Sequence, residues 1–138
     1  MLKPVALKNE SIAVIRRFEP NAPIGPEFPN TRKGTVAHLA ADAAAVAMRH
    51  DGARCGAFIL PRWHAGSALS IEPVDAHALF GAIAFNAFNY RLLGQAGFDA
   101  AAELARRCPA WQLVYSELDE AVAAIDALWP QVVAKASC

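Results

Sequence analysis

The residues best suited to chemistry follow directly on an apolar run. The run Phe58–Leu60 ends at Pro61. Five polar or aromatic side chains lie just beyond it: Arg62, Trp63, His64, Ser67 and Ser70. Arg62 can bind a carboxylate or phosphate through two hydrogen bonds, Trp63 offers a stacking face, and His64 can transfer a proton near neutral pH. The segment therefore predicts a site for a small anionic ligand. The alternative is that Trp63 covers the core while Arg62 and His64 are solvated.

The position of this segment supports a binding site. In open α/β sheets, ligands bind beyond the carboxyl ends of the strands. Pro61 has no N–H and cannot continue a hydrogen-bonded ladder, so we expect the chain to leave the sheet there. Ser67 and Ser70 come shortly before the next helix, where an anion is favoured.

Other catalytic and cofactor motifs are missing from the sequence. It contains no G-x-G-x-x-G, Walker or G-x-S-x-G pattern. No pair of histidines has the spacing of metal ligands, and no acid/base pair of carboxylates can be identified. We therefore predict no catalytic residue, no metal and no cofactor, and whether the chain is an enzyme stays open.

Strands and helices alternate in the second half of the chain. The run 54–60, "RCGAFIL", predicts a strand buried in a parallel sheet. Asp75 is expected to cap the next helix. The expected core face of that helix holds Leu79, Phe80, Ile83, Ala84 and Ala87. Segment 89–95 fits either a continuation of this helix or a short strand.

The last three elements have clearer limits. Asp99 is expected to cap a helix that ends at Arg107, and 111–115 reads as a strand. The pattern Ser116-x-x-Asp119 resembles a capping box for a final helix. Its expected core stripe is Leu118, Val122, Ile125 and Trp129.

The first half of the chain predicts a strand, a proline-rich loop and a helix. Residues 12–18 are β-branched and aromatic, which favours a strand. In the loop at 19–34, prolines recur every third residue, as in polyproline II. The loop is interpreted as a stiff strap pinned by Ile24 and Phe28, or as a ligand for a partner's aromatic groove. Apolar spacing predicts a helix over 35–51.

The helix that follows Asp75 is apolar all round, which indicates burial by the sheet and by a second subunit. The predicted interface residues are Phe85, Asn86, Phe88 and Asn89. The two asparagines could line a pocket with Arg91 or join two subunits, and the sequence favours neither.

Composition narrows the class of partner. The 138 residues contain 13 Lys and Arg and 13 Asp and Glu, so the chain lacks the positive charge of a nucleic-acid-binding protein. No apolar stretch is long enough to span a bilayer, and the N-terminus lacks the apolar core of a signal peptide.

Cys55, Cys108 and Cys138 have no metal-like spacing, and they indicate a reduced, cytoplasmic protein with structural thiols. Cys138 is the thiol expected to be exposed.

The segment 89–128 is similar to the C-terminal half of STAS-like domains, the fold of anti-sigma-factor antagonists and of bacterial SpoIIAA-like proteins. The resemblance lies in strand, capped helix, strand and a helix with the pattern S-x-L-D-E-A-x-x-x-I. The helix expected at 35–51 and the run "CGAFIL" extend it. The sequence departs from the family in the proline-rich insertion and in having no Asp before Ser67 or Ser70, where regulatory members carry a phosphorylatable serine after an Asp.

Together these patterns predict one α/β domain over 1–138, with a parallel or mixed sheet of four or five strands and about four flanking helices. The resemblance implies a bacterial, non-enzymatic regulatory or protein-interaction module that self-associates as a homodimer or binds a protein partner. The alternative is a small-ligand binding protein or minor enzyme that uses the 61–70 loop. Nucleic acid and membrane are not expected partners.

Overall fold

The computed structural model describes residues 3–136 and shows a mixed α/β protein. The described residues form six helices and two three-stranded sheets. A single sheet of four or five strands is therefore not confirmed. The chain divides between Ala53 and Arg54 into two compact units, and a single domain stays a prediction. Cys138 lies outside the described residues.

The first unit is a small antiparallel sheet with two helices. Its elements are β1 (Val5–Lys8), α1 (Glu10–Phe18), β2 (Phe28–Thr31), β3 (Gly34–Leu39) and α2 (Ala43–Ala47). The strand order is β1-β3-β2, so β3 is central. Three buried residues form its core: Leu7, Ile12 and Ala37.

The strand predicted at 12–18 is wrong, because these residues form α1. Ile12 and Ile15 are three apart and both pack into the core, as one face of a helix requires. Glu10 in the first turn and Arg17 in the last suit the helix dipole. The β-branched residues favoured a strand, but tertiary packing of this apolar face decides the conformation.

The helix predicted at 35–51 is also wrong. Residues 34–39 form the central strand, in which Ala37 is fully buried and His38 is exposed, an alternation typical of a strand. Only Ala43–Ala47 is helical, and Asp42 caps it by accepting a hydrogen bond from the Ala45 N–H at 2.7 Å. Since α2 has no buried residue, nothing stabilises a longer helix.

The proline-rich segment runs without helix from Glu19 to Glu27 and then enters β2. Ile24 packs against the core and bridges to Leu39, so one of the two expected anchors is confirmed. Phe28 is 52 % exposed and does not act as the second anchor. Glu27 instead pairs with Arg16 of α1 at 2.5 Å.

The second unit is built on a mixed sheet. Its elements are β4 (Phe58–Trp63), β5 (Ser70–Pro73), α3 (Ala76–Asn86), α4 (Tyr90–Leu93), α5 (Gln95–Arg107), β6 (Ala110–Tyr115) and α6 (Leu118–Ala136). The strand order is β4-β6-β5, with β4 parallel and β5 antiparallel to β6. The strand at 111–115 lies in the same sheet as the "FIL" strand and pairs with it directly. Segment 89–95 is a separate short helix followed by the start of α5.

Pro61 lies inside β4, opposite Leu113, and does not end the strand. The strand is at an edge of its sheet, where proline is tolerated. The N–H groups of Phe58 and His64 donate to Pro109 O and Tyr115 O at 2.9 Å. Because N–H direction alternates along a strand, the nitrogen of Pro61 points to the open edge, where no partner is lost.

Helices α3 and α5 cover one end of this sheet. Leu79 is 1 % exposed and forms a core with Ala105 and Ala110. The predicted cap is confirmed, since the Asp75 carboxylate accepts a hydrogen bond from the Ala78 N–H at 2.8 Å. The cap predicted at Asp99 is wrong, because α5 begins at Gln95.

The last helix begins near its predicted start, and three residues of its predicted stripe, Leu118, Val122 and Ile125, are half-buried. Ala121 and Val132 are buried, whereas the fourth predicted residue, Trp129, is 61 % exposed. The helix continues through Pro130. The Ser116 hydroxyl does not complete a capping box with Asp119, because it accepts a hydrogen bond from the Gly66 N–H at 3.0 Å.

Candidate functional site

The carboxyl ends of β4 and β6 meet at one edge of the sheet, as the sequence predicts for the candidate loop. The His64 N–H donates to Tyr115 O at 2.9 Å, and the Trp63 indole N–H donates to Ser116 O at 3.0 Å. The Gly66 N–H reaches the Ser116 hydroxyl. Loop 64–69 is therefore held against the start of the segment that follows β6.

Several hydrogen-bonding groups of this loop are already bonded to other groups of the same loop. The Ser67 hydroxyl donates to His64 O at 2.9 Å. The His64 Nδ1 lies 3.2 Å from Ala65 O, which favours the tautomer with the proton on Nδ1. Trp63 is 60 % exposed, so its ring face is accessible although its N–H is bonded. The loop is thus an ordered turn with an exposed indole.

Strand alternation separates the predicted ligand residues. Arg62 lies on the same face of β4 as Phe58, which packs against α3. Trp63 lies on the opposite face. The Ser70 hydroxyl donates to the Glu72 carboxylate, 3.3 Å away on β5. The five residues predicted to bind one ligand are therefore spread over both faces of the sheet, and only some of them line a groove.

The first groove lies between β4 and the C-terminal part of α3 and has a volume of about 700 Å³. Its lining is largely apolar, and its polar side chains are Arg62, Asn86 and Gln112. Asn86 Nδ2 donates to Ala82 O at 2.8 Å, which leaves the amide oxygen unpaired, and Gln112 Nε2 donates to Leu60 O. Arg62 forms no ion pair with any residue in the described range. The groove combines an apolar wall with one unpaired cation.

The second groove, of about 850 Å³, lies between loop 66–69 and the start of α6. It contains Ser67 and Ser116, whose hydroxyl groups are already bonded, together with Glu117 and Glu120. Two carboxylates disfavour an anion here. Ser67 therefore lies in a different electrostatic setting from Arg62.

The predicted interface residues are exposed, and apolar side chains near them in the chain are exposed as well. Phe85 is 88 % exposed and Phe88 fully exposed, while Asn86 and Asn89 are also exposed. Three further apolar residues are exposed nearby in the chain: Leu92 at 87 %, Leu93 at 57 % and Phe98 at 48 %. We call these five apolar residues, Phe85, Phe88, Leu92, Leu93 and Phe98, the 85–98 surface. Sequence reasoning missed Leu92 and Leu93 because segment 89–95 had no clear conformation, and it missed Phe98 because α5 begins at Gln95 rather than at Asp99.

Aromatic contacts hold this surface in place. The ring of Phe80 packs edge-on against Phe98, with centroids 5.3 Å apart, and against Tyr90 at 6.5 Å. These contacts join α3 to α4 and α5. The exposed side chains therefore project from a packed group of helices.

Across residues 3–136, no three His, Cys, Asp or Glu side chains are grouped so that they could hold a metal ion. Within the same range, no helix combines the length and apolarity that a membrane span requires. The chain matches no protein-family model, no curated protein and no solved structure.

Proposed function

We propose that this protein is a non-enzymatic protein-interaction module that forms a homodimer through the 85–98 surface. The observation that carries the proposal is the exposure of Phe85 and Phe88, at 88 % and 102 % of a free side chain. Monomeric proteins rarely expose large contiguous apolar patches, and such patches mark interaction sites.

The size of the surface fits a dimer interface. Aromatic side chains bury large areas, and the five exposed residues offer on the order of 700 Å² of apolar area. A stable interface buries roughly 800 Å² on each partner, so the 85–98 surface supplies most of what one subunit needs.

The charge of the surface favours a second copy over an unrelated partner. Arg91 is the one charged residue in the segment 85–98. Such a surface offers no charge pattern by which a different protein would be selected. A two-fold dimer places the same apolar patch on both sides, which makes the surface complementary to itself. Asn86 and Asn89 would lie at the rim, where exposed amides can bond across the interface.

The STAS-like, bacterial and cytoplasmic character of the module belongs to the same proposal. The STAS-like part is supported by the order α5, β6 and α6, which matches the last three elements of the resembling segment, whereas the strand expected at 89–95 is helical. A regulatory role would then act by association between subunits or with a protein partner.

Light scattering over a micromolar concentration series tests the dimer. We expect a mass of two chains for the wild type, and dissociation of the double variant F85S/F88S into single chains that retain the wild-type circular dichroism spectrum. The matched control is Phe28→Ser, which changes an aromatic residue that is 52 % exposed in the first unit and should leave the mass unchanged. A wild type that scatters as one chain throughout the series overturns the proposal.

A second candidate function is supported by the groove beside Arg62. A groove of about 700 Å³ falls in the size range of small-molecule sites. An apolar wall with one unpaired guanidinium is complementary to a small carboxylate that carries an apolar body. The amide oxygen of Asn86 could accept a hydrogen bond from such a ligand.

Thermal melting with a series of aliphatic and aromatic carboxylates tests this candidate. We expect a rise in the melting temperature that the variant Arg62→Gln abolishes and that matched alcohols do not produce. The control Arg54→Gln changes an exposed arginine that does not line the groove. Equal responses of both variants would exclude Arg62 as the anion-binding group, whether or not the protein dimerises.

A further inference from the structure

Cys55 and Cys108 precede two paired strands at the same end of the sheet. Phe58 of β4 lies opposite Ala110 of β6, and its N–H donates to Pro109 O at 2.9 Å. Cys108 already has extended backbone angles, φ −96° and ψ 129°. Neighbouring strands are ~4.8 Å apart, and the Cα atoms of a disulfide are usually ~5.5–6 Å apart. Continuing the parallel register backward sets Cys108 opposite Gly56, so Cys55 is its diagonal neighbour, within the Cα range that a disulfide spans.

The side chains confirm that the two residues are in contact. The Cys108 thiol donates to Cys55 O at 3.4 Å, and the Cys55 thiol donates to Ala57 O at 3.7 Å. Burial raises the pKa of the Cys108 thiol, a hydrogen bond and the charge of the Cys55 thiol raise it further, and Arg107 opposes the rise. The Cys108 sulfur therefore lies within hydrogen-bond distance of the Cys55 backbone.

The two thiols differ in access. Both are free, but Cys55 is exposed and Cys108 is only partly so. An oxidant in solution therefore reaches Cys55 first. Cys108 is held beside it, as a resolving cysteine must be.

We propose that Cys55 and Cys108 form a redox-modification site, at which a peroxide converts the two thiols into a reversible intramolecular disulfide. The Cys55 thiol releases a proton and its thiolate attacks one oxygen of hydrogen peroxide. The O–O bond breaks, Cys55 becomes a sulfenic acid, and the leaving hydroxide takes up the released proton to give one water. The Cys108 sulfur then attacks the Cys55 sulfur and displaces a second water. Two thiols and one peroxide thus give one disulfide and two waters.

The bond would link the segment before β4 to the end of α5. The two cysteines are 53 residues apart, so the disulfide closes a long loop. Closing a loop of this length restricts the unfolded chain and should raise the melting temperature by on the order of 10 °C. Cys55 is the second residue of the second unit, which begins at Arg54. Oxidation would therefore link the beginning of this unit covalently to the end of α5.

The test uses the full chain with Cys138→Ser, so that the third thiol cannot react. After treatment with hydrogen peroxide we expect both remaining thiols to become resistant to iodoacetamide together. Peptide mapping should find a Cys55–Cys108 disulfide within a single chain. Dithiothreitol should restore both thiols and lower the melting temperature again.

Two matched variants keep the proposal falsifiable. C55S/C138S and C108S/C138S each retain one thiol of the pair, and neither should gain stability on oxidation. Independent oxidation of the two thiols to sulfinic acid without a disulfide, or disulfides formed only between chains, would overturn the proposal.

Discussion

The Trp63 indole and the Ser116 carbonyl are joined by a hydrogen bond of 3.0 Å that connects the last residue of β4 to the residue after β6. The two strands are parallel and far apart in the chain, so this bond fastens their carboxyl ends from outside the backbone ladder. It also fixes the exposed indole beside loop 64–69.

Trp63→Phe should lower the free energy of unfolding by about 1 kcal/mol, because it removes this bond but keeps an aromatic ring. Urea denaturation followed by circular dichroism measures the change. Trp129→Phe is the control, since Trp129 is equally exposed and should cost much less. Equal losses in the two variants would show that the Trp63 bond contributes nothing.

Leu113→Ala should be the most destabilising of these substitutions, at about 2–5 kcal/mol, because it leaves a cavity in the central strand of the second sheet. Leu113 is 1 % exposed, whereas Leu69, the control, is 40 % exposed. Denaturant midpoints of Leu113→Ala and Leu69→Ala should therefore differ clearly. A small loss at Leu113 would mean that the sheet is packed differently.

Asp75→Ala should destabilise the protein by about 1 kcal/mol, because the Ala78 N–H at the start of α3 loses its acceptor. Asp75→Asn keeps a side-chain oxygen and should restore most of the loss. Asp42→Ala removes the equivalent bond of α2 and should cost less, since α2 has no buried residue. Thermal melts of the three variants compare them directly.

Gly34→Ala should cost roughly 1–3 kcal/mol, because this glycine has φ +84° at the tight approach to Asn9. A Cβ at this position would lie 2.1 Å from Asn9 Oδ1, which accepts the Thr35 N–H. Gly52→Ala is the control, because a Cβ there meets no atom and the backbone angle is ordinary. A neutral Gly34→Ala would show that the turn relaxes freely.

Alkylation of Cys108 should require a higher pH than alkylation of an unfolded cysteine, because its pKa is raised above 9.0 by burial and by Cys55. Cys55→Ser removes the thiol contribution and should shift the profile back toward lower pH. Stability also falls with rising pH. Because the folded-state pKa of Cys108 is raised, the protonated thiol favours the folded state, and this contribution is lost as the pH rises through the folded pKa. Iodoacetamide rates against pH measure the shift.

Several elements of the second unit were predictable from sequence because they have local signals, whereas β5 (Ser70–Pro73) was not predicted. Asp75 marks the start of α3, and the apolar residues of 111–115 mark β6. The first unit was misread for a physical reason: a strand is decided by pairing partners distant in the chain. Val36 and Leu39 fit a helix face as well as a strand, and only the pairing of β3 with β1 and β2 selects the strand.

The candidate site was predicted in location but not in arrangement. The run that ends at Trp63 does meet the carboxyl end of β6, as expected of a parallel pair. The sequence placed Pro61 outside the strand, and this error hid the alternation that separates Arg62 from Trp63. The contribution of Asn86 and Gln112 to the same groove depends on how α3 crosses the sheet, which no local pattern reveals.

The proline in the middle of β4 has a consequence for how molecules of this protein can meet at high concentration. A strand of another molecule that paired with the free edge of β4 would find no backbone N–H to bond at Pro61. A continuous ladder of hydrogen bonds between molecules could therefore not form there. This disfavours fibril growth by edge-to-edge strand pairing at β4. A protein that associates through another surface can then remain a dimer.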